Sequence, residues 1–268
     1  MNKVLRWILI LVGCLSLLTA LGFYLQLSWV TQIWPVQSGR LSNIFVSSIM
    51  AAIGAPIVWI GLSSETRAMA GGALNLLVAN AGFAISTFPF YAQDDRTALL
   101  IFGIISIAMV LLCVGLFVFS HRRPFLDSRP IPLLARASFA VFAVVLLVTA
   151  TALILKRPNT FPWPLSAENS ILYGWIFLGA MCYFLYALSF PVWGNAYGQL
   201  LGFLAYDLVL IFPFLAHFVA VKPEMRTSLV IYTAVVSYSG LLAIYHLFIH
   251  PSTRFNTKSW RATAGDYS

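Results

Sequence analysis

Residues 97–120 read TALLIFGIISIAMVLLCVGLFVFS, a stretch of 24 residues without a single charged side chain. A helix needs about 20 apolar residues to cross the hydrocarbon core of a bilayer, which is about 30 Å thick. Arg96 precedes the stretch and Arg122 follows it, so the nearest charges lie where lipid headgroups and water begin. The segment predicts a membrane-spanning helix, and the rest of the chain repeats its pattern.

Seven other stretches have the same character, which gives an all-α integral membrane protein with eight transmembrane helices. The predicted spans are Trp7–Gln26, Leu41–Leu62, Ala68–Pro89, Thr97–Ser120, Ala137–Leu155, Ser170–Val192, Ala196–Ala220 and Thr227–Ile249. Of the 268 residues 60% are hydrophobic and only 9% are charged, against about 25% charged in a soluble domain. So few charges exclude a soluble enzyme, and the length of the spans excludes an outer-membrane β-barrel.

The positions of the lysines and arginines predict the orientation, because cytoplasmic loops carry an excess of them. With the N-terminus inside, ten basic residues lie on the cytoplasmic side and six on the other. The ten are Lys3, Arg6, Arg67, Arg122, Arg123, Arg129, Arg136, Arg254, Lys258 and Arg261. We therefore expect both termini in the cytoplasm and the chain in the cell (plasma or inner) membrane. Its first partner is the lipid bilayer, whose anionic headgroups suit the net charge of +8, and nucleic acid is not expected.

An internal repeat is predicted, because adding 129 to the first four spans brings them close to the last four. Trp34-Pro35 follows the first span as Trp163-Pro164 follows the fifth, and Arg96-Thr97 precedes the fourth span as Arg226-Thr227 precedes the eighth. The predicted units are a first four-helix half (1–129), a second half (130–250) and a short basic cytoplasmic tail (251–268). Each half has an even number of spans, so the repeat would be parallel, about an axis along the membrane normal.

Asp207 is the only acidic residue in the middle of a predicted span. Ionisable side chains inside a membrane cost about 2.5–3.5 kcal/mol on insertion scales and therefore need a reason. Asn75 and Asn80 lie at comparable depth in the third span, and we expect them opposite Asp207. Such a group could take up a proton or coordinate a cation. The alternative is a carboxyl group that only ties helices together by hydrogen bonds.

Two further patterns favour ordinary packing over chemistry. Gly194, Gly198 and Gly202 recur every four residues, so they line one helix face and allow another helix to approach closely. His121, His246 and His250 lie at the predicted inner ends of spans, where three imidazoles could hold a metal or a haem. No carboxylate or cysteine joins them in a recognisable spacing, so we predict no metal site and no cofactor.

These observations leave three hypotheses for the function. The first is a small secondary transporter, similar to a permease, with its polar site between the two halves and formed by Asp207, Asn75 and Asn80. The second is a non-catalytic membrane subunit or scaffold, which packs against a partner subunit or a second copy through the glycine face. The third is a membrane enzyme or a haem or metal protein that uses the inner histidines. No catalytic motif occurs in the sequence, so an enzyme is the less favoured of these.

Overall fold

The computed structural model describes residues 1–94 and 96–254, and the chain is 79% helix with no strand in this part. Within the described residues eight helices are long and apolar enough to cross a membrane, as predicted. They are α1 (Lys3–Tyr24), α2 (Arg40–Ser63), α3 (Met69–Asp94), α4 (Thr97–His121), α5 (Leu133–Ile154), α6 (Ala167–Ser189), α7 (Trp193–His217) and α8 (Arg226–Ile244). The protein is a multi-pass helical membrane protein. Most of the predicted basic tail, with Lys258 and Arg261, lies outside the described residues.

Several helix ends differ from the predicted ones, some beside a proline and others, such as the start of α1 at Lys3, without one. α3 runs through Pro89 to Asp94, so the predicted end at Pro89 was wrong; the proline removes one backbone hydrogen bond without ending the helix. α6 ends at Ser189, since the residue before Pro191 is held out of the helical region. α7 consequently begins at Trp193, three residues earlier than predicted. α8 continues as one π-helical turn, Tyr245–Ile249.

The helices form four hairpins, which assemble into two rows. Consecutive helices pack as pairs, α1 with α2, α3 with α4, α5 with α6 and α7 with α8. Two contacts then join hairpins that are distant in sequence, α2 with α7 and α3 with α6. The rows are therefore α1-α2-α7-α8 and α4-α3-α6-α5. Each row takes one hairpin from each predicted half, so the halves interlock and do not form two separate bundles.

The helices at the ends of the rows face lipid. Leu11 in α1, Leu111 in α4, Val144 in α5 and Leu241 in α8 are between 61% and 69% exposed, although they are large and apolar. Exposed apolar surface on this scale would be unstable in water and is expected where a helix contacts hydrocarbon. The inner helices α2, α3, α6 and α7 consequently carry the contacts that position any polar site.

Two tryptophans in the loops point into the bundle, and each donates a hydrogen bond to a residue of the other half. The Trp34 indole N–H donates to Asn169 Oδ1 at 2.8 Å, and the Trp163 indole N–H donates to Ser42 Oγ at 3.0 Å. Both acceptors are the third residue of their helix, Ser42 in α2 and Asn169 in α6. These bonds satisfy buried donors that would otherwise cost about 1–3 kcal/mol each. They tie the α1–α2 loop to the second half, and the α5–α6 loop to the first.

Glycines permit the close approach of α3 to α6. A Cβ on Gly71 would meet the ring of Tyr183 at 2.7 Å, and one on Gly82 would overlap the indole of Trp175. By contrast, a Cβ on Gly72 would meet nothing within 4 Å. Gly71 and Gly72 are adjacent in the same helix, so they form a natural matched pair.

We expect Gly71→Ala to lower the free energy of unfolding by about 1–3 kcal/mol, because the added methyl group displaces the Tyr183 ring. Gly72→Ala is the control and should raise it by up to about 1 kcal/mol, since alanine favours the helix more than glycine. Unfolding in mixed detergent micelles measures both values. Equal effects of the two substitutions would show that α3 does not pack on α6 in this register.

Candidate functional site

Asp207 lies in the middle of α7 and faces α8. Its side chain is 4% exposed, and neither carboxylate oxygen has a hydrogen-bond partner among the described residues. The carboxylate lies against Gly240, where an added Cβ would be 3.3 Å from Oδ2. The Ser239 hydroxyl is beside it but donates to backbone carbonyls of its own helix. Both helices belong to the second predicted half, so Asp207 faces its own half and not the space between the halves.

A carboxyl group in these surroundings has few stable states. An ionised carboxylate without a partner in apolar protein costs several kcal/mol, which favours a neutral acid or a bound cation. The neighbouring polar groups are hydroxyls and not bases: the Ser239 hydroxyl is beside Asp207, and the Tyr206 phenol lies next to it and close to Tyr232. The Tyr232 ring packs in turn on Phe161 at 5.0 Å. The site can therefore bind or release one positive charge.

The two predicted amides do not lie opposite Asp207. Asn75 packs on α6, where an added Cβ on Gly179 would be 2.6 Å from its Oδ1. Asn80 donates through Nδ2 to the Leu76 carbonyl of its own helix at 2.7 Å. α3 packs on α4 and α6, whereas α7 packs on α2 and α8, so the helices that carry these side chains are in different rows.

The glycine face of α7 is covered by the same chain. Added Cβ atoms would meet Glu65 Oε2 at Gly194, Trp59 at Gly198 and the Ala52 carbonyl at Gly202. Trp59 and Ala52 belong to α2, so α2 occupies the surface that a scaffold would need for a partner subunit. The structure therefore places this face at an internal helix contact, and another surface would have to bind a partner.

The three histidines do not converge. His121 Nδ1 is 3.1 Å from the Tyr186 hydroxyl, whereas the His246 ring is tilted against the His250 ring with centroids 5.3 Å apart. His246 is fully buried and neither ring nitrogen has a hydrogen-bond partner. Within residues 1–94 and 96–254, no three His, Cys, Asp or Glu side chains are close enough to hold a metal ion.

Glu65, in the α2–α3 turn, is a buried polar residue that the sequence did not single out. It is 3% exposed, and its carboxylate accepts backbone N–H groups from Leu126 at 3.0 and 3.1 Å and from Asp127 at 3.0 Å. These residues belong to the linker between α4 and α5. The linker in turn accepts N–H bonds from Trp193 and Gly194, the first residues of α7. Glu65 therefore holds the linker across the bundle, at the end where α3 and α7 begin.

Arg67, two residues after Glu65, is a second buried charged residue that the sequence did not single out. It is 7% exposed and lies over the rings of Phe125 and Phe190, at 5.2 and 4.9 Å from their centroids. Its Nε is buried without a hydrogen-bond partner. The sequence interpretation counted Arg67 only as an orienting charge, because a short Ser-Ser-Glu-Thr-Arg loop between two spans usually stays in water. The signal that could have indicated burial is the pair of opposite charges placed between two long apolar spans.

Comparison with models of known protein families, with curated proteins and with solved structures finds no match for this chain. The function has to be argued from the chain's own residues.

The linker contact makes a prediction about pH. Burial raises the pKa of the Glu65 carboxyl above its ordinary value of 4.5, backbone N–H bonds from Leu126 and Asp127 oppose the rise, and the charge of Asp127 adds to it. A pKa that is higher in the folded chain gives stability at low pH that is lost as pH rises through the folded value. Glutamine does not titrate, so Glu65→Gln should not lose this stability. We therefore expect the unfolding temperature of Glu65→Gln, relative to that of wild type, to rise by a few degrees between pH 4.5 and neutral pH.

Thermal unfolding in detergent across this pH range measures the difference. The exposed Glu224 supplies the control Glu224→Gln, which should follow wild type at every pH. If the gap between Glu65→Gln and wild type stayed constant with pH, the buried carboxyl would not be the titrating group.

Proposed function

We propose that this chain is a small secondary transporter in which Asp207 is the coupling site. The observation that supports this most is the unpaired Asp207 carboxyl, which is 96% buried in the middle of a membrane-spanning helix. A residue that only tied helices together would be expected to reach a hydrogen-bond partner on its neighbour. Ion and proton pathways, by contrast, commonly contain such groups. The coupling ion is a proton or a small cation.

The helices around Asp207 suit a movement of α7. Gly198 and Gly202 give α7 a smooth surface on α2, and Pro56 in α2 packs at 3.5 Å from the position of an added Gly202 Cβ. Pro213 interrupts the hydrogen bonds of α7 six residues beyond Asp207. A small-residue surface beside proline-interrupted helices allows sliding without loss of side-chain packing.

The predicted parallel repeat belongs to this proposal, and three features support it. The contact of α2 with α7 has its counterpart in the contact of α6 with α3. At residue level, Ala52 against Gly202 corresponds to Gly179 against Asn75, with both positions shifted by 127. The same shift relates Asp207 to Asn80. The amide is thus the counterpart of the acid in the other half and not its partner.

The other features are local. The α1 and α5 helices end in the same way, with left-handed backbone at Gln26 (φ 58°) and Lys156 (φ 55°) and the same three closing hydrogen bonds. The Trp34 and Trp163 indole bonds are also reciprocal. In such a repeat the two rows are related by a twofold axis along the membrane normal, and one half carries the acid.

The orientation is also proposed, with both termini in the cytoplasm and the chain in the plasma or inner membrane. We expect a cysteine at Ser128, in the linker, to react with a membrane-impermeant maleimide only after the membrane is opened. A cysteine at Asn159, in the α5–α6 loop, should react in intact cells. The native Cys14, Cys113 and Cys182 lie within helices and give the background. The reverse labelling pattern would invert the topology.

The coupling role of Asp207 is tested in proteoliposomes. With a potassium diffusion potential as the driving force, wild type should move protons or sodium, and Asp207→Asn should remove most of the flux, because an amide neither exchanges a proton nor carries the charge that holds a cation. Asp207→Glu keeps the charge and should retain part of the flux. Glu224→Gln, at an exposed loop position, is the control and should match wild type. Equal flux in Asp207→Asn and wild type, or no flux of either ion in wild type, would contradict the proposal.

A further inference from the structure

Arg67 is a buried cation for which the described residues provide no counter-ion. Its side chain is 7% exposed, and its Nε is buried without a hydrogen-bond partner among them. Glu65, two residues earlier, uses both carboxylate oxygens on the backbone N–H groups of the linker. Asp127 is paired with Arg129 at 2.6 Å. The acids at this end of the bundle are therefore engaged elsewhere.

A guanidinium in this position lacks hydrogen-bond acceptors. Contact with an aromatic ring is worth about 0.5–2 kcal/mol, and Phe125 and Phe190 supply two such contacts. The rings offer no hydrogen-bond acceptor, whereas the guanidinium carries five N–H donors. Leaving such donors unpaired inside a protein is costly, and a carboxylate or phosphate fits them in a bidentate manner.

The groups around Arg67 also favour a negative charge. The Tyr186 hydroxyl and the His121 ring are close enough to feel the Arg67 charge, and they contact each other at 3.1 Å. Arg67 is in the 3₁₀ turn Thr66–Ala68 that leads directly into α3, so the positive end of that helix dipole is beside it. One cation, one tyrosine hydroxyl and one helix N-terminus thus lie at the same end of the bundle.

We propose that Arg67 is an anion-binding residue, which takes a carboxylate or phosphate group on its guanidinium edge, with the Tyr186 hydroxyl as a second donor while His121 Nδ1–H donates to the Tyr186 oxygen. The anion comes either from a free solute, which would make it a candidate cargo, or from a lipid headgroup. The linker covers the site through Phe125, and Glu65 holds the linker in place, so the geometry described here is a closed one. The proposal does not depend on ion coupling at Asp207.

Binding to the purified full-length chain tests the proposal at constant ionic strength. We expect inorganic phosphate or acetate to raise the unfolding temperature in neutral detergent in a saturable way if the source is a free solute. If the source is a headgroup, only nanodiscs with anionic phospholipid should do so, compared with nanodiscs of zwitterionic lipid. Arg67→Gln should lower the affinity for whichever anion binds wild type by at least about tenfold. Arg67→Lys should keep the charge but lose part of the affinity, and Tyr186→Phe should weaken it several-fold.

Two controls separate binding from structure. Arg136→Gln removes an exposed arginine on the same side of the membrane and should bind as wild type does. If Arg67→Gln does not fold, the Arg67→Lys and Tyr186→Phe affinities decide the result. No saturable effect of any of these anions on wild type, or equal affinity in the Arg67 variants and wild type, would overturn the proposal. Because Asp207 takes no part in this measurement, failure here and failure of ion coupling remain distinguishable.

Discussion

Inside the hydrocarbon of a bilayer no water is available to satisfy a backbone N–H or carbonyl group, so each crossing segment must form its own hydrogen bonds. The eight long apolar helices of this chain follow from that constraint. The same constraint makes each polar side chain between them costly unless it finds a partner. The buried indoles of Trp34 and Trp163 find hydrogen-bond partners in Asn169 and Ser42, and the Glu65 carboxylate finds them in the linker backbone. The Asp207 carboxylate, the His246 ring and the Arg67 Nε have no hydrogen-bond partner among the described residues.

The two rows explain where these exceptions lie. Each row joins one hairpin of the first half to one of the second, and the contacts between hairpins are made by glycine against larger side chains. Close packing on α2 leaves the opposite side of α7 for α8, and Asp207 is on that side. Arg67 lies instead at the end of the bundle, where the α2–α3 turn meets the linker. The proposed ion site and the proposed anion site are thus built by different elements of one frame.

Much of the architecture could be predicted from sequence because apolar length is a strong signal. All eight spans were predicted, and the errors fell at helix ends, some beside prolines such as Pro89 and Pro191 and others, such as the start of α1 at Lys3, without a proline. Asp207 was found because a mid-span acid has no topological role. The prediction that Asn75 and Asn80 lie opposite Asp207 was wrong, since these residues share its depth but belong to the other row. Arg67 was missed because loop position alone does not reveal that Phe125 and Phe190 cover it.

The central claim is that Asp207 exchanges a positive charge with water from within the membrane, and infrared spectroscopy of its carboxyl group tests this most directly. The claim predicts a protonated carboxyl band that is absent from Asp207→Asn, shifts when H₂O is replaced by D₂O, and weakens reversibly with rising pH or added sodium. A band that neither shifts in D₂O nor responds to pH or sodium would show a permanently neutral, water-inaccessible acid. Asp207 would then be a structural residue, and the transporter proposal would lose its main support.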